Sequence, residues 1–171
     1  MSDLLAYVVY LVWLAAGGLD FVCHRRTRLA YTSGVHESSL HLVQLALIGA
    51  GVLLWLTVAI TLPVLCVLSS IVIAHAVVGY LDTRQAYARR DIRPIEQHLH
   101  SVLDIAPIAA LCWAASGMQA DSMSWSAIEL RTPPASPNLW LGVLVPAVVL
   151  CGVPALLEFK QARAVALANR T

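Results

Sequence analysis

Apolar residues gather along this chain into five runs of about twenty residues, separated by short polar stretches. The first runs from about Leu4 to Cys23 and the second from about Glu37 to Ile60. The third covers about Leu65 to Asp82, the fourth about Glu96 to Met118, and the fifth about Leu139 to Phe159. The second and third nearly merge. A tight turn at Thr61, Leu62 and Pro63 is needed to give two spans of ordinary length. At about 1.5 Å per residue, such runs match the thickness of a hydrocarbon core. Lipid offers no partner to an open backbone N–H or C=O, so each run must be helical. The pattern predicts an all-α integral membrane bundle of five transmembrane helices, forming a single domain over residues 1–171. No linker is long enough to divide it.

Local signals agree. Thr32 or Ser33 is placed to cap the second helix, and Asp91 or Arg93 followed by Pro94 suits the start of the fourth. Pro107 falls inside the fourth helix and predicts a kink there. The segment Ala120–Asn138 is rich in Ser and Pro and reads as an ordered loop or short surface helix around Trp125 and Ile128. Trp140 is expected at the membrane interface.

Composition sharpens the assignment. The chain is 59% hydrophobic and 12% charged, about half the charge of an ordinary soluble domain. Net charge is +1, which gives no electrostatic reason to expect a nucleic-acid partner. The first run has no basic segment before it, so it is expected to be a retained span rather than a cleaved signal. Cys23, Cys66, Cys112 and Cys151 show no C-x-x-C spacing and are expected to be buried structural thiols.

Charge placement sets the orientation. Arg25, Arg26 and Arg28 follow the first span. Arg84, Arg89, Arg90 and Arg93 follow the third, and Lys160, Arg163 and Arg170 follow the fifth. These are ten of the eleven Lys and Arg residues, leaving Arg131 on the other side. The positive-inside rule then puts the N-terminus outside an inner or plasma membrane and the C-terminus in the cytoplasm.

The candidate chemistry lies at that same basic end. The first span ends with Asp20 and His24, and the second begins with Glu37 and His41. The third ends with His75 and Asp82, and the fourth begins with Glu96, His100 and Asp104. Residues four or seven apart share a helix face, so each of these four helices presents carboxylate and imidazole in one direction. His24, Glu37, Asp82 and Glu96 form a shallow layer. Asp20, His41, His75, His100 and Asp104 lie roughly 5–14 Å deeper. Ionisable groups within a span cost a few kilocalories per mole each unless they pair or bind something.

Carboxylate with imidazole is a ligand set for divalent transition metals, and four-helix bundles hold metal pairs with such residues. The expected cofactor is therefore two divalent ions, iron first and zinc or manganese as alternatives, held by a four-helix metal-binding bundle. Glu37 and Glu96 are the bridging candidates. Arg84, Arg89, Arg90 and Arg93 would flank the entrance. A metal-free polar network, a proton site and a haem are the competing readings of the same residues. His36 and His98 point away from the shared faces and are not expected to ligate. The fifth span offers no His and only the terminal Glu158, so it is expected to supply no ligand.

The outer halves of the spans carry few polar groups, which argues against a conduit through the membrane. The expected function is a di-iron oxidoreductase acting from the cytoplasmic face on a lipophilic or amphipathic substrate, with membrane lipid, an electron donor and a homo-oligomer as candidate partners. A metal-dependent hydrolase, a metal sensor or chaperone, and a haem b protein are the alternatives. The histidine boxes of integral-membrane desaturases, His-x-x-x-His and His-x-x-His-His, do not occur in this sequence. A reporter fused after Thr171 should be active only as a form that works in the cytoplasm. Activity of a periplasm-dependent reporter at that position would reverse the orientation.

Overall fold

A computed structural model describes residues 3–118 and 128–170. Helix α1 (Asp3–Arg26) is followed by a single 3-10 turn (Leu29–Tyr31), then α2 (Gly34–Thr57), α3 (Leu62–Tyr87) and α4 (Pro94–Ser116). The fifth long helix begins as α5 (Pro137–Ala147), passes through a π turn (Val148–Gly152) and continues as α6 (Val153–Ala168). Among the described residues there is no strand, only an isolated antiparallel bridge between Val58 and Leu130. Five helices among the described residues are long and apolar enough to cross a membrane.

The boundaries differ from hydropathy in a consistent way. Helix α3 continues past Asp82 to Tyr87, and the fifth helix continues past Phe159 to Ala168. Both extensions begin with polar residues, Thr83, Arg84 and Gln85 in α3 and Lys160, Gln161 and Arg163 in the fifth helix, so they are helical but lie beyond the apolar run. The turn between α2 and α3 falls where expected, with Thr61 at the N-cap and Pro63 in the first turn, where its missing N–H is harmless. Ser33 occupies the N-cap position of α2, but its hydroxyl makes no capping bond. Thr32 instead donates back to the Arg28 and Leu29 carbonyls. Ser136 does cap α5, accepting from the Leu139 amide at 3.2 Å. Pro107 is buried within α4.

The π turn has a local cause. Pro154 lacks the N–H that a regular helix would direct at the Leu150 carbonyl, and a widened turn accommodates the mismatch. It also changes which face the C-terminal half of this helix presents, because one extra residue rotates everything beyond it by about 100°.

The main packing runs round a ring. Helix α1 packs on α4, α4 on α3, α3 on α2, α2 on α6, and the fifth helix closes back on α1. Polarity is inverted relative to a water-soluble protein. Large apolar side chains such as Leu19, Ile73, Ile105, Val149 and Leu157 are exposed on the outside. Asp20, His24, Glu37, His41, Asp82, Glu96 and Glu158 are buried inside. That is the arrangement expected of a bundle whose solvent is lipid. Of the cysteines, only Cys151 is buried. Cys66 and Cys112 lie exposed on the apolar outer surface and Cys23 is half-buried, which corrects the expectation of four buried thiols.

At the end remote from most of the arginines, residues 128–131 dock on the α2–α3 turn. The Ala59 amide donates to the Glu129 carbonyl at 3.0 Å, and the Arg131 amide to the Thr57 carbonyl at 2.9 Å. The Arg131 guanidinium lies 5.3 Å from the centre of the Trp55 ring. Ile128 is exposed and not in a helix. Trp125 lies outside the described residues.

Helix α1 approaches the fifth helix closely because it carries Gly17 and Gly18 there. A Cβ at Gly18 would stand 3.3 Å from the Leu150 carbonyl oxygen, a backbone atom that cannot swing away. Gly18→Val should therefore lower the thermal midpoint of the detergent-purified protein, by an overpacking cost of about 1–3 kcal/mol. Gly49→Ala, whose Cβ meets nothing within 4 Å, should leave the midpoint unchanged or raise it.

Candidate metal centre

Helices α1 to α4 and α6 bring their acidic and imidazole side chains together at the arginine-rich end of the ring. In a first group, Asp20 and His24 come from α1 and Glu96 and His100 from α4. Asp20 Oδ2 is 3.2 Å from His24 Nε2, Asp20 Oδ1 is 3.3 Å from His100 Nε2, and His24 Nε2 is 3.6 Å from Glu96 Oε1. A second group is formed by Glu37 and His41 of α2 with Asp82 of α3, where His41 Nε2 lies 3.1 Å from Asp82 Oδ1. Within each group the candidate ligand atoms all lie within 4.8 Å of one another, and each group could hold a metal ion.

Glu158 ties the groups together. Its Oε2 accepts from His24 Nδ1 at 2.9 Å and its Oε1 from His41 Nδ1 at 2.7 Å. The two imidazoles are stacked with centroids 4.6 Å apart and planes 7° from parallel. Phe21 closes one side, edge-on to both rings at 5.7 and 5.8 Å. A carboxylate oxygen only accepts, so both Nδ1 atoms carry a hydrogen. In the neutral ring that leaves the Nε2 lone pair directed away from Glu158 and toward the two groups.

Those Nε2 atoms are not satisfied there. Among the described residues, the buried atoms without a hydrogen-bond partner include Asp20 Oδ1, His24 Nε2, both Glu96 carboxylate oxygens and His100 Nε2 from the first group. From the second they include His41 Nε2 and Asp82 Oδ1. Several of these atoms are close enough to form ion pairs, yet their angles are wrong for hydrogen bonds. Ligands about 2.1 Å from a metal stand about 3.0–3.4 Å apart for right-angled or tetrahedral arrangements. The separations of 3.1 to 3.3 Å between His24 and Asp20, His41 and Asp82, and His100 and Asp20 are of that size, and the 3.6 Å between His24 and Glu96 is somewhat longer. The contacts of Glu158, at 2.7 and 2.9 Å, are ordinary hydrogen bonds.

Arg90 supplies positive charge. Its Nε and Nη2 donate to Glu37 Oε1 at 3.1 and 2.6 Å, its Nη2 also contacts Glu96 Oε1, and its Nη1 donates to Thr27 Oγ1 at 3.2 Å. Burial opposes the charge on this guanidinium, but the Glu96 and Glu37 carboxylates more than offset it and raise its pKa above the ordinary value. Among the described residues, the cluster sets five buried carboxylates (Asp20, Glu37, Asp82, Glu96 and Glu158) against one buried guanidinium.

The structure therefore gathers His24, Glu37, His41, Asp82, Glu96, His100 and Asp20 as the sequence pattern suggested. His75 and Asp104 are not in either group. They lie deeper, on the wall of an adjoining cavity that His41 and His100 also line. His36 and His98 are exposed, as their faces implied. Two residues were missed. Glu158 is buried between two histidines, His24 and His41, and forms with them a further group that could hold a metal ion, although the fifth span was expected to supply no ligand. No His or acid lies one turn away on its own helix, and the π turn alters its facing, so a spacing argument could not find it. Arg90 belongs in sequence with Arg84, Arg89 and Arg93, but of these four only Arg90 is buried. Nothing in the loop sequence distinguishes it from its neighbours.

No protein-family model matches the chain, and neither a curated protein nor a solved structure does.

Removing one member of a buried ion cluster leaves the others uncompensated. Arg90→Gln should destabilise the protein by about 3–5 kcal/mol. In a thermal scan of metal-free, detergent-purified protein, the double variant Arg90→Gln/Glu37→Gln should recover part of that loss. Equal stability of Arg90→Gln and wild type would show that Arg90 does not hold the two acids.

Proposed function

We propose that this chain is a membrane-embedded dinuclear metal enzyme, in which two divalent ions, iron first, oxidise a lipophilic substrate. One ion would be held by Asp20, His24, Glu96 and His100, and the other by Glu37, His41 and Asp82. The observation that carries this reading is the convergence, in two neighbouring groups, of buried Nε2 and carboxylate oxygen atoms that lie within ion-pair distance without forming hydrogen bonds to one another. Charge supports it. With the imidazoles neutral, as metal ligands must be, five carboxylates and one guanidinium leave a surplus of four negative charges, which two divalent cations would neutralise. The donors are nitrogen and oxygen only, a set that suits iron, manganese or zinc rather than a thiolate-seeking ion.

The chain's own residues have separable parts in this scheme. Glu158 holds both Nδ1–H groups and so fixes the tautomer in which His24 and His41 offer Nε2, the usual task of an outer carboxylate at a metal site. Arg90 holds Glu37 and Glu96 where the two groups meet. Apolar residues around the cluster, Phe21 among them, keep bulk water from the site. Two irons would supply dioxygen activation, with electrons from an external donor. The positive-inside pattern of the basic residues supports a site on the cytoplasmic side, where soluble donors are present.

Metal content of the purified protein tests this. Wild-type protein from iron-supplied cells should carry about two ions per chain. His41→Ala and His100→Ala should each lose about one, and His98→Ala none. Glu158→Gln is the most specific variant. Glutamine has one accepting oxygen and one donating amide, so it satisfies only one Nδ1–H and presents an N–H to the other ring. That ring must switch tautomer and surrender its Nε2 lone pair, so the content should fall from two to about one. Wild-type protein without metal, or full content in all of His41→Ala, His100→Ala and Glu158→Gln, would reduce the cluster to a buried ion network.

A further inference from the structure

The cavity that adjoins the cluster has a volume of about 160 Å³. Asp20, His41, Asp82 and His100 line one end, and Tyr10, Trp13, Val52 and Leu144 line the other. On α2 the lining positions are His41, Gln44, Leu45, Ile48, Gly49 and Val52. Their spacing of three and four residues is a single helix face. Over the eleven residue steps from His41 to Val52 that face is about 16 Å long at 1.5 Å per residue. On α1 the same stretch is covered from Phe21 to Tyr10. The space is therefore long, narrow, polar at the cluster and apolar at its far end.

We propose that this cavity receives one unbranched hydrocarbon chain, with its apolar end toward Trp13 and Val52 and a carbon beside the His41 and His100 imidazoles. The volume is close to that of an apolar cavity of roughly 150 Å³ known to take up benzene. Spread along about 16 Å, it excludes fused or branched ring systems and leaves a straight chain as the fitting shape. Access also favours such a molecule, because the bundle's outer surface is apolar and its surroundings are lipid. Gln44, His75 and Asp104 make one wall polar nearer the cluster, so the purely hydrocarbon part of the chain lies beyond them. The occupant is thus held inside the ring of helices rather than left in the surrounding lipid. This deepens the proposed function by naming its substrate class, and it rests on that reading for the role of the cluster.

Gly49 is the point at which the proposal can be tested without disturbing the metals. It lines the cavity at mid-length, and a Cβ there would meet nothing within 4 Å. Gly49→Phe should grow into the open space. The probe is a hexadecanoic acid carrying a mid-chain diazirine, photolysed with the protein in lipid nanodiscs and mapped by mass spectrometry. A phosphatidylcholine bearing the same chain forms a second arm. Wild-type protein should be labelled at inward positions such as Leu14, Ile48 and Val52, as well as at the outward Ile73. Gly49→Phe should lose inward labelling at least tenfold, while keeping both its labelling at Ile73 and the wild-type metal content. Inward labelling from the free acid alone would identify a free chain as the source, and from the phospholipid a membrane lipid. Either supports the proposal. Gly49→Leu, a smaller plug, provides the same comparison if the phenylalanine variant does not purify as a folded protein. Labelling confined to outward positions in wild type, or inward labelling unchanged in a folded plugged variant, would overturn the chain-binding assignment whatever the metal content proves to be.

Discussion

Five carboxylates buried against one buried arginine, among the described residues, are the constraint on which this structure depends. Each charge taken out of water costs several kilocalories per mole unless something compensates it. The fold answers by drawing every helix of the ring to one place. Asp20 and His24 of α1 face Glu96 and His100 of α4, and Glu37 and His41 of α2 face Asp82 of α3. Glu158 of α6 closes the ring by accepting from two histidines at once. Apolar packing between helices provides little net drive when the surrounding solvent is equally apolar, so polar contacts of this kind carry much of the specificity with which the helices select neighbours.

Much of the architecture was legible in the sequence. Apolar runs separated by polar breaks marked the five long helices, and Pro63 and Pro94 marked two of their starts. The spacing of Asp20 with His24, Glu37 with His41, and Glu96 with His100 put each pair on one face, and those pairs meet in the cluster. What could not be read was rotation of one helix relative to another. His75 and Asp104 have suitable depth and type, yet they face the cavity rather than the two groups. Glu158 has no partner on its own helix, and a π turn changes its direction. Arg90 stands among exposed arginines and is distinguished only by the two acids that reach it from α2 and α4.

The proposed metal centre and the proposed chain cavity are physically continuous. His41 and His100 belong to both, with Nε2 in the candidate ligand groups and their rings on the cavity wall. A chain lying along α1 and α2 would meet the cluster at its polar end and be shielded from water by Phe21 and Leu14. That arrangement gives a reason for placing a costly acidic cluster at the membrane boundary. In the proposed function, a soluble electron donor would approach from the arginine-rich side and a lipophilic substrate from within the bilayer.

The central claim is that the two groups of imidazole and carboxylate bind metal through nitrogen and oxygen. X-ray absorption at the metal edge of wild-type protein, purified without added chelator, tests it most directly. The account predicts about two ions per chain, a first shell of nitrogen and oxygen at about 2.0–2.2 Å, and outer-shell scattering from imidazole. Protein that purifies with no stoichiometric metal, or metal held by sulfur at about 2.3 Å, would contradict it.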